Sequence, residues 1–137
     1  MNDPQCIFCK IVAGDIPSIK IYEDDYTYAF LDIKPVNVGH TLVIPKKHFS
    51  NLYELESPYR EAIFETAQKV ARAIKTGLPT NGINLTMNND AAAGQIIFHA
   101  HVHIIPRYEN DGMVHWNHGD TTEDDLKKAG EKITRAL

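Results

Sequence analysis

Positions 99–105 read His-Ala-His-Val-His-Ile-Ile. In an extended strand a period of two places His99, His101 and His103 on one face, about 6.6–6.8 Å apart along the chain. Ala100, Val102 and Ile104 then point the other way, into a core. Imidazole has the ordinary pKa nearest neutrality and serves as nucleophile, acid, base or metal ligand. Such a row has three uses. The rings could be buried, hydrogen-bonded struts. Two of them at i and i+2 could hold one zinc, with His40 or His48 as a further ligand, and a zinc-bound water would make a hydrolase. One ring could instead be a nucleophile: a backbone carbonyl that holds Nδ1–H leaves Nε2 free to attack. Phosphorus is then the natural target, because an imidazole–phosphorus bond is reactive enough to be hydrolysed in a second step.

Upstream residues favour an anionic substrate. Gly94-Gln95 stands at the mouth of the histidine run. Glycine lets a backbone approach an anion closely, and neighbouring N–H groups can line a phosphate. Asn88 and Gln95 are neutral donors able to contact phosphate oxygens without competing as nucleophiles. The two cysteines, Cys6 and Cys9, are spaced C-x-x-C. A redox pair of that spacing usually follows a strand and opens a helix, whereas this pair lies almost at the start of the sequence. Zinc is the better reading, and it needs two further ligands.

The scaffold follows from pattern and punctuation. Residues 6–13 predict a short helix closed by Gly14, and 19–23 and 26–32 predict two strands joined through Asp24-Asp25. Residues 40–44 predict a third strand stopped by Pro45. The clearest helix spans 58–76, with Ser57 as N-cap, Pro58 at its first position and Gly77 at its end. Ile63, Phe64, Ala67, Val70, Ala71 and Ile74 form its apolar stripe. Residues 82–88 predict a fourth strand, 96–106 the histidine strand, and 123–136 a final helix capped by Thr122. Strands joined without crossover helices predict an antiparallel sheet with helices on one face, an α+β arrangement.

Composition narrows the function classes. A length of 137 residues, 43% hydrophobic and 23% charged, fits one ordinary globular domain, with 1–107 as its core and 108–137 as a tail and helix. The net charge of −4 argues against a nucleic-acid polymer as partner. No apolar run approaches the roughly 20 residues that cross a bilayer, so a membrane is not expected either. Residues 1–5 show no signal-peptide pattern, and two cysteines make no disulfide framework, which fits a reducing, cytoplasmic setting.

The run His99 to Ile105 resembles the motif of the histidine triad (HIT) family, His-φ-His-φ-His-φ-φ, where φ is apolar. Cys6-Ile-Phe-Cys-Lys-Ile-Val12, Ala29-Phe-Leu-Asp-Ile33, Gly39-His-Thr-Leu-Val-Ile-Pro-Lys-Lys-His48 and Ala93-Gly-Gln95 are similar to family segments in their order and spacing. The nearest branch is that of Hint-type nucleotide phosphoramidases and bacterial Hit proteins. The resemblance implies a HIT-like fold: about five antiparallel strands, one long helix and short terminal helices. It implies that His101 attacks the α-phosphorus of a purine nucleotide derivative, such as one of AMP or GMP, to give a nucleotidyl-histidine that water cleaves. His103 would donate to the α-phosphate, the His99 carbonyl would hold His101, and His40 would lie close to the triad. Asn88, Gly94 and Gln95 would contact phosphate and ribose, and Asp32 the ribose hydroxyls. Ile7, Phe8, Ile11, Phe30, Leu31, Ile33 and Leu42 would form an apolar slot for the base.

Relatives with the cysteine pair imply a structural zinc on Cys6, Cys9, His48 and His99, with no catalytic cofactor. They also imply a homodimer built on the 58–76 helix and the strand from Gly82, with the tail around Trp116 reaching toward the partner. Many relatives carry Ser or Thr after Gly-Gln to help protonate the leaving group; here the residue is Ile96, so such help must come from elsewhere, with His115 and His118 as candidates. Within the family the alternative is a dinucleoside polyphosphate hydrolase, and outside enzymes a nucleotide- and zinc-binding regulatory protein with little turnover.

Overall fold

A computed structural model describes residues 3–137; Met1 and Asn2, part of the N-terminal segment considered above, lie outside the described residues. Five strands form one antiparallel sheet in the order β1-β2-β3-β5-β4. They are β1 (Lys20–Glu23), β2 (Thr27–Leu31), β3 (Thr41–Pro45), β4 (Gly82–Thr86) and β5 (Val102–Arg107). The β1–β2 hairpin closes on Asp24, whose Oδ1 accepts from the backbone N–H groups of Tyr26 and Thr27 and from the Thr27 hydroxyl. An aspartate that satisfies the turn's own donors is a common reason for it to sit there.

The helices are α1 (Ile7–Ala13), α2 (Tyr59–Gly77) and α3 (Glu123–Ala136). On α2, Ala62, Ile63, Thr66, Ala67, Val70 and Ile74 are buried. They pack on Ala29, Val43, Ala100, Val102 and Ile104, the residues that alternate to one face of the sheet. The other face is covered by α1, where Phe8 and Ile11 meet Tyr28, Phe30, Leu42 and Ile44. Helices therefore cover both faces, not one as the sequence suggested. Both faces of β2 and β3 are consequently apolar, and a pattern without alternation does not say which side carries a helix.

Several boundaries differ from expectation. Pro58, not Ser57, is the residue capping α2, and no side chain caps it; Gly77 stays helical, and the Leu78 N–H closes the last turn on the Ile74 carbonyl. Phe64 is half exposed, because it sits about 100° around the helix from Ile63, off the buried stripe. The histidine strand begins at Val102, not at 96. The cause is Pro45: its register would oppose Ala100, it has no N–H to donate, and the ladder to β3 ends at the Val43–Val102 pair. The Ala100 N–H turns instead to the Phe49 carbonyl at 2.6 Å. The expected 82–88 strand stops at Thr86. Thr122 caps α3 as expected, accepting from the Asp125 N–H, and every residue of α3 is exposed. No helix among the described residues is long and apolar enough to cross a membrane.

Ile63 has no exposed surface, so Ile63→Ala is expected to lower unfolding free energy by about 2–5 kcal/mol through lost burial and a cavity. Gln68→Ala on the exposed face should stay within about 0.5 kcal/mol. Urea denaturation of both variants checks the pair.

Candidate active site and metal centre

The site is built where β3, β5 and α1 meet. His99, at the end of the segment leading into β5, has no exposed surface. Its Nε2 lies 2.9 Å from the Pro45 carbonyl. A carbonyl only accepts, so Nε2 carries the proton and Nδ1 carries a lone pair. That Nδ1 lies 3.4 Å from Cys6 Sγ and 3.6 Å from Cys9 Sγ, and His48 Nδ1 lies 3.4 Å from Cys9 Sγ. The four potential ligand atoms all fall within 4.8 Å of one another. Zinc at about 2.3 Å from sulfur and 2.0–2.1 Å from nitrogen, with tetrahedral angles, requires S···N edges of about 3.6 Å. The quartet fits that geometry. It is assembled because Cys6 is the N-cap of α1 and Cys9 lies three residues on, so both thiols share one side of the first turn. Burial, reinforced by Cys6, pushes the Cys9 thiol up; a bound cation would reverse that shift and hold a thiolate.

The middle ring is held differently. His101 Nδ1–H donates to the His99 carbonyl at 2.6 Å, which leaves Nε2 with a free lone pair. The edge-on ring of Phe8 touches both His99 and His101, with centroids 5.8 and 5.3 Å away. Phe8, which stands between Cys6 and Cys9 in sequence, thus packs the first turn of α1 against both histidines.

A second chain of hydrogen bonds sets the third ring. The Val36 N–H donates to His40 Nδ1 at 3.1 Å. His40 must then carry its proton on Nε2, which lies 2.9 Å from His103 Nδ1. His103 Nδ1 accepts, and its Nε2–H remains as a donor. The Asp32 carboxylate lies 3.8 Å from His40 Nε2 and accepts the Lys34 N–H through its other oxygen. Asp32, His40 and His103 also cluster as possible metal ligands, but His40 offers a proton there rather than a lone pair, so the group is a hydrogen-bond chain. His103 faces Leu42 across the β3–β5 pair, and His40 lies two residues before Leu42, which makes the two histidines diagonal neighbours on one face.

Burial is the leading cause that pushes four rings below the ordinary histidine pKa: His99 and His103 down to about 4, and His40 and His101 in the same direction. The backbone bond to Pro45 opposes the shift at His99, and Asp32 opposes it at His40. At neutral pH the site is a row of uncharged rings with defined tautomers.

The other expected residues divide. Gln95 is buried, and its side chain is saturated within its own loop: Nε2 donates to the Ser50 and Ile97 carbonyls, and Oε1 accepts the Asp90 N–H. Direct donation from Gln95 to phosphate is therefore corrected to a strut role. Asn88 is half-buried, with its amide 3.5 Å from the Gly94 carbonyl, and Gly94 is exposed in the left-handed region. Of the expected apolar slot, Phe8, Ile11, Phe30 and Leu42 are core; Leu31 is half-buried, and Ile7 and Ile33 are exposed. Ile96, His115, Trp116 and His118 are exposed. Sequence reasoning missed the backbone partners, namely the Pro45 and Phe49 carbonyls and the Val36 N–H. Only Pro45 left a signal, as a strand stop.

The family model described as the HIT domain matches residues 13–110. A crystal structure of a HIT family member from Bacillus subtilis is 47% identical, with a TM-score of 0.90 over 97% of both chains. The adenosine 5′-monophosphoramidase of Schizosaccharomyces pombe is 42% identical over 134 residues, 96% of this chain and 98% of that protein. A zinc-bound histidine triad family protein from Mycobacterium smegmatis is 38% identical, with a TM-score of 0.77, covering 97% of this chain and 98% of that one.

The neutral rings make stability depend on pH. Between 6.5 and about 4 the unfolded chain binds protons that folded His99 and His103 do not. Their contribution is complete above pH 6.5 and lost progressively as pH falls toward 4. The urea midpoint is expected to fall across that window, and less steeply in His103→Asn. An equal slope in both proteins would count against the buried neutral His103.

Proposed function

The chain belongs to the HIT family, and from that premise we propose that it is a nucleoside 5′-phosphoramidase, a nucleotidyl hydrolase of purine nucleotide derivatives. The observation that carries this reading is the 2.6 Å bond from His101 Nδ1–H to the His99 carbonyl. It leaves a neutral imidazole with its Nε2 lone pair available, as a nucleophile requires. In the proposed reaction Nε2 attacks the α-phosphorus, the bond from phosphorus to the leaving nitrogen breaks, and the amine departs with a proton taken from solvent, which the later hydrolysis returns. Water then cleaves the phosphorus–Nε2 bond, releasing the nucleoside monophosphate and restoring the ring. The His103 Nε2–H donates to the phosphoryl oxygens as charge gathers there. The relative named adenosine 5′-monophosphoramidase supports this substrate class.

Asp32, half-buried beside His40, is suited to accept from the two ribose hydroxyls. Ile7, Leu31 and Ile33 retain exposed apolar surface for a base. Asn88 and Gly94 are assigned to the phosphate side. Cys6, Cys9, His48 and His99 would hold a structural zinc that ties α1 to the catalytic segment; the zinc-bound relative supports this. A homodimer is part of the same reading. β4 is an edge strand with Leu85 46% exposed, and Phe64 on α2 is 50% exposed, so an apolar edge and helix face are both available to a second copy. A reducing, cytoplasmic setting suits the paired thiols.

His101→Ala is expected to lower AMP release from adenosine 5′-phosphoramidate by more than about 1,000-fold, as loss of a nucleophile does. Release by the wild type should survive brief chelator treatment. Undiminished release by His101→Ala would overturn the assignment. Cys6→Ser should lose bound zinc, measured by elemental analysis, and unfold at a lower temperature. Full zinc content in Cys6→Ser would remove that residue from the ligand set.

A further inference from the structure

The tautomer of His40, and through it that of His103, depends on one backbone N–H in a loop. If the Val36 N–H left His40 Nδ1, the proton of His40 could move to Nδ1. His40 Nε2 would then accept from His103 Nδ1–H, and His103 Nε2 would present a lone pair instead of a donor. The two rings exchange roles together, because one 2.9 Å bond joins them. A lone pair facing an anionic phosphoryl group is repulsive where a donor is attractive, so the position of Val36 matters to the chemistry.

Three residues outside the histidine group hold that loop. Asn37, next to Val36, donates through its amide to the Pro106 carbonyl at 2.8 Å and to Asp111 Oδ2 at 3.2 Å. Asp111 takes a side-on pair of bonds from Arg107: Nε to Oδ2 at 2.7 Å and Nη2 to Oδ1 at 3.0 Å. Its oxygens also accept the Tyr108 and Met113 N–H groups. Arg107 reaches the neighbouring strand through Asn84 Oδ1 at 2.7 Å. The side chains of Arg107 and Asp111 are only 18% and 7% exposed. A bidentate, shielded pair of this kind is among the stronger polar contacts. Gly39, at φ +96°, seats the far end of the loop against Leu78 and Pro106, where a Cβ would collide. The clasp therefore joins the end of β5, the start of the tail and the loop that carries Val36.

We propose that Asn37, Asp111 and Arg107 are positioning residues for the reaction, holding the loop in the register that puts the Val36 N–H on His40 Nδ1 and so keeps His103 a donor to the substrate anion. This rests on the phosphoramidase reading above only for the identity of that anion. The same three residues touch none of the reacting atoms, and their effect travels through two imidazoles.

The test combines imidazole 15N NMR of the full chain with steady-state kinetics on adenosine 5′-phosphoramidate. In the wild type, His40 and His103 should both show an unprotonated Nδ1 and a protonated Nε2. In Asn37→Ala, and in Asp111→Asn, which approaches the same clasp from the tail, both rings should show mixed tautomers. The kcat should fall about 10- to 100-fold, as for a modest misplacement of a catalytic donor, with KM within about twofold. A wild type with His40 protonated at Nδ1 would overturn the proposal without any variant. So would variants that keep the wild-type tautomers at both rings, whatever their stability. Absence of AMP release by the wild type would sink the phosphoramidase reading and leave the tautomer measurement to decide this one.

Discussion

The three hydrogen-bonding groups of His99 connect everything else in the site. Its Nε2–H is given to the Pro45 carbonyl, its Nδ1 faces the two thiols, and its carbonyl takes the proton of His101. The first of these bonds decides the other two functions. Because a carbonyl can only accept, the ring has one possible tautomer, and the lone pair is directed to the cysteines. Because the ring is held at both nitrogens, the backbone beneath it is held as well, and the carbonyl stays where His101 needs it. Ending the β3–β5 ladder before Pro45 is what makes this possible. A continued ladder would have drawn the backbone of this segment into β-pairing.

Burial has a chemical consequence here beyond stability. Four imidazoles packed within one region would repel each other if charged, and desolvation keeps them neutral. A neutral imidazole has one donor and one acceptor, so each ring can be given a direction by a single backbone group. Pro45 directs His99, the His99 carbonyl directs His101, and the Val36 N–H directs His40 and then His103. The result is a free Nε2 lone pair on His101 beside an Nε2–H donor on the adjacent His103 ring, both uncharged. The Arg107–Asp111 pair, which is charged, lies at the tail end of β5.

Much was legible in the one-dimensional pattern. The alternation from His99 to Ile104 separated imidazoles from core methyl groups, because side chains on an extended chain alternate whatever the chain packs against. The apolar stripe of α2 was legible apart from Phe64, and the hairpin at Asp24 was legible because its turn is closed by local bonds. The C-x-x-C spacing placed both thiols on one side of a helical turn through the geometry of that turn. Gln95 was misjudged. A polar residue in a glycine-containing loop beside a row of histidines looks like a ligand, and only the surrounding carbonyls of Ser50 and Ile97 show that its amide is already engaged.

By itself, then, the sequence determined which residues share a face, where the helical stripe lies and which side chains carry imidazole and thiol groups on one side of an element. These follow from short-range periodicity and side-chain chemistry. Tertiary structure decided which nitrogen of His99 and of His103 carries the proton, that α1 and α2 take opposite faces of the sheet, and that Arg107 and Asn37 meet through Asp111. Those depend on groups far apart in sequence, such as Pro45 with His99 or His40 with His103. No local pattern encodes a partner that folding alone brings within 3 Å.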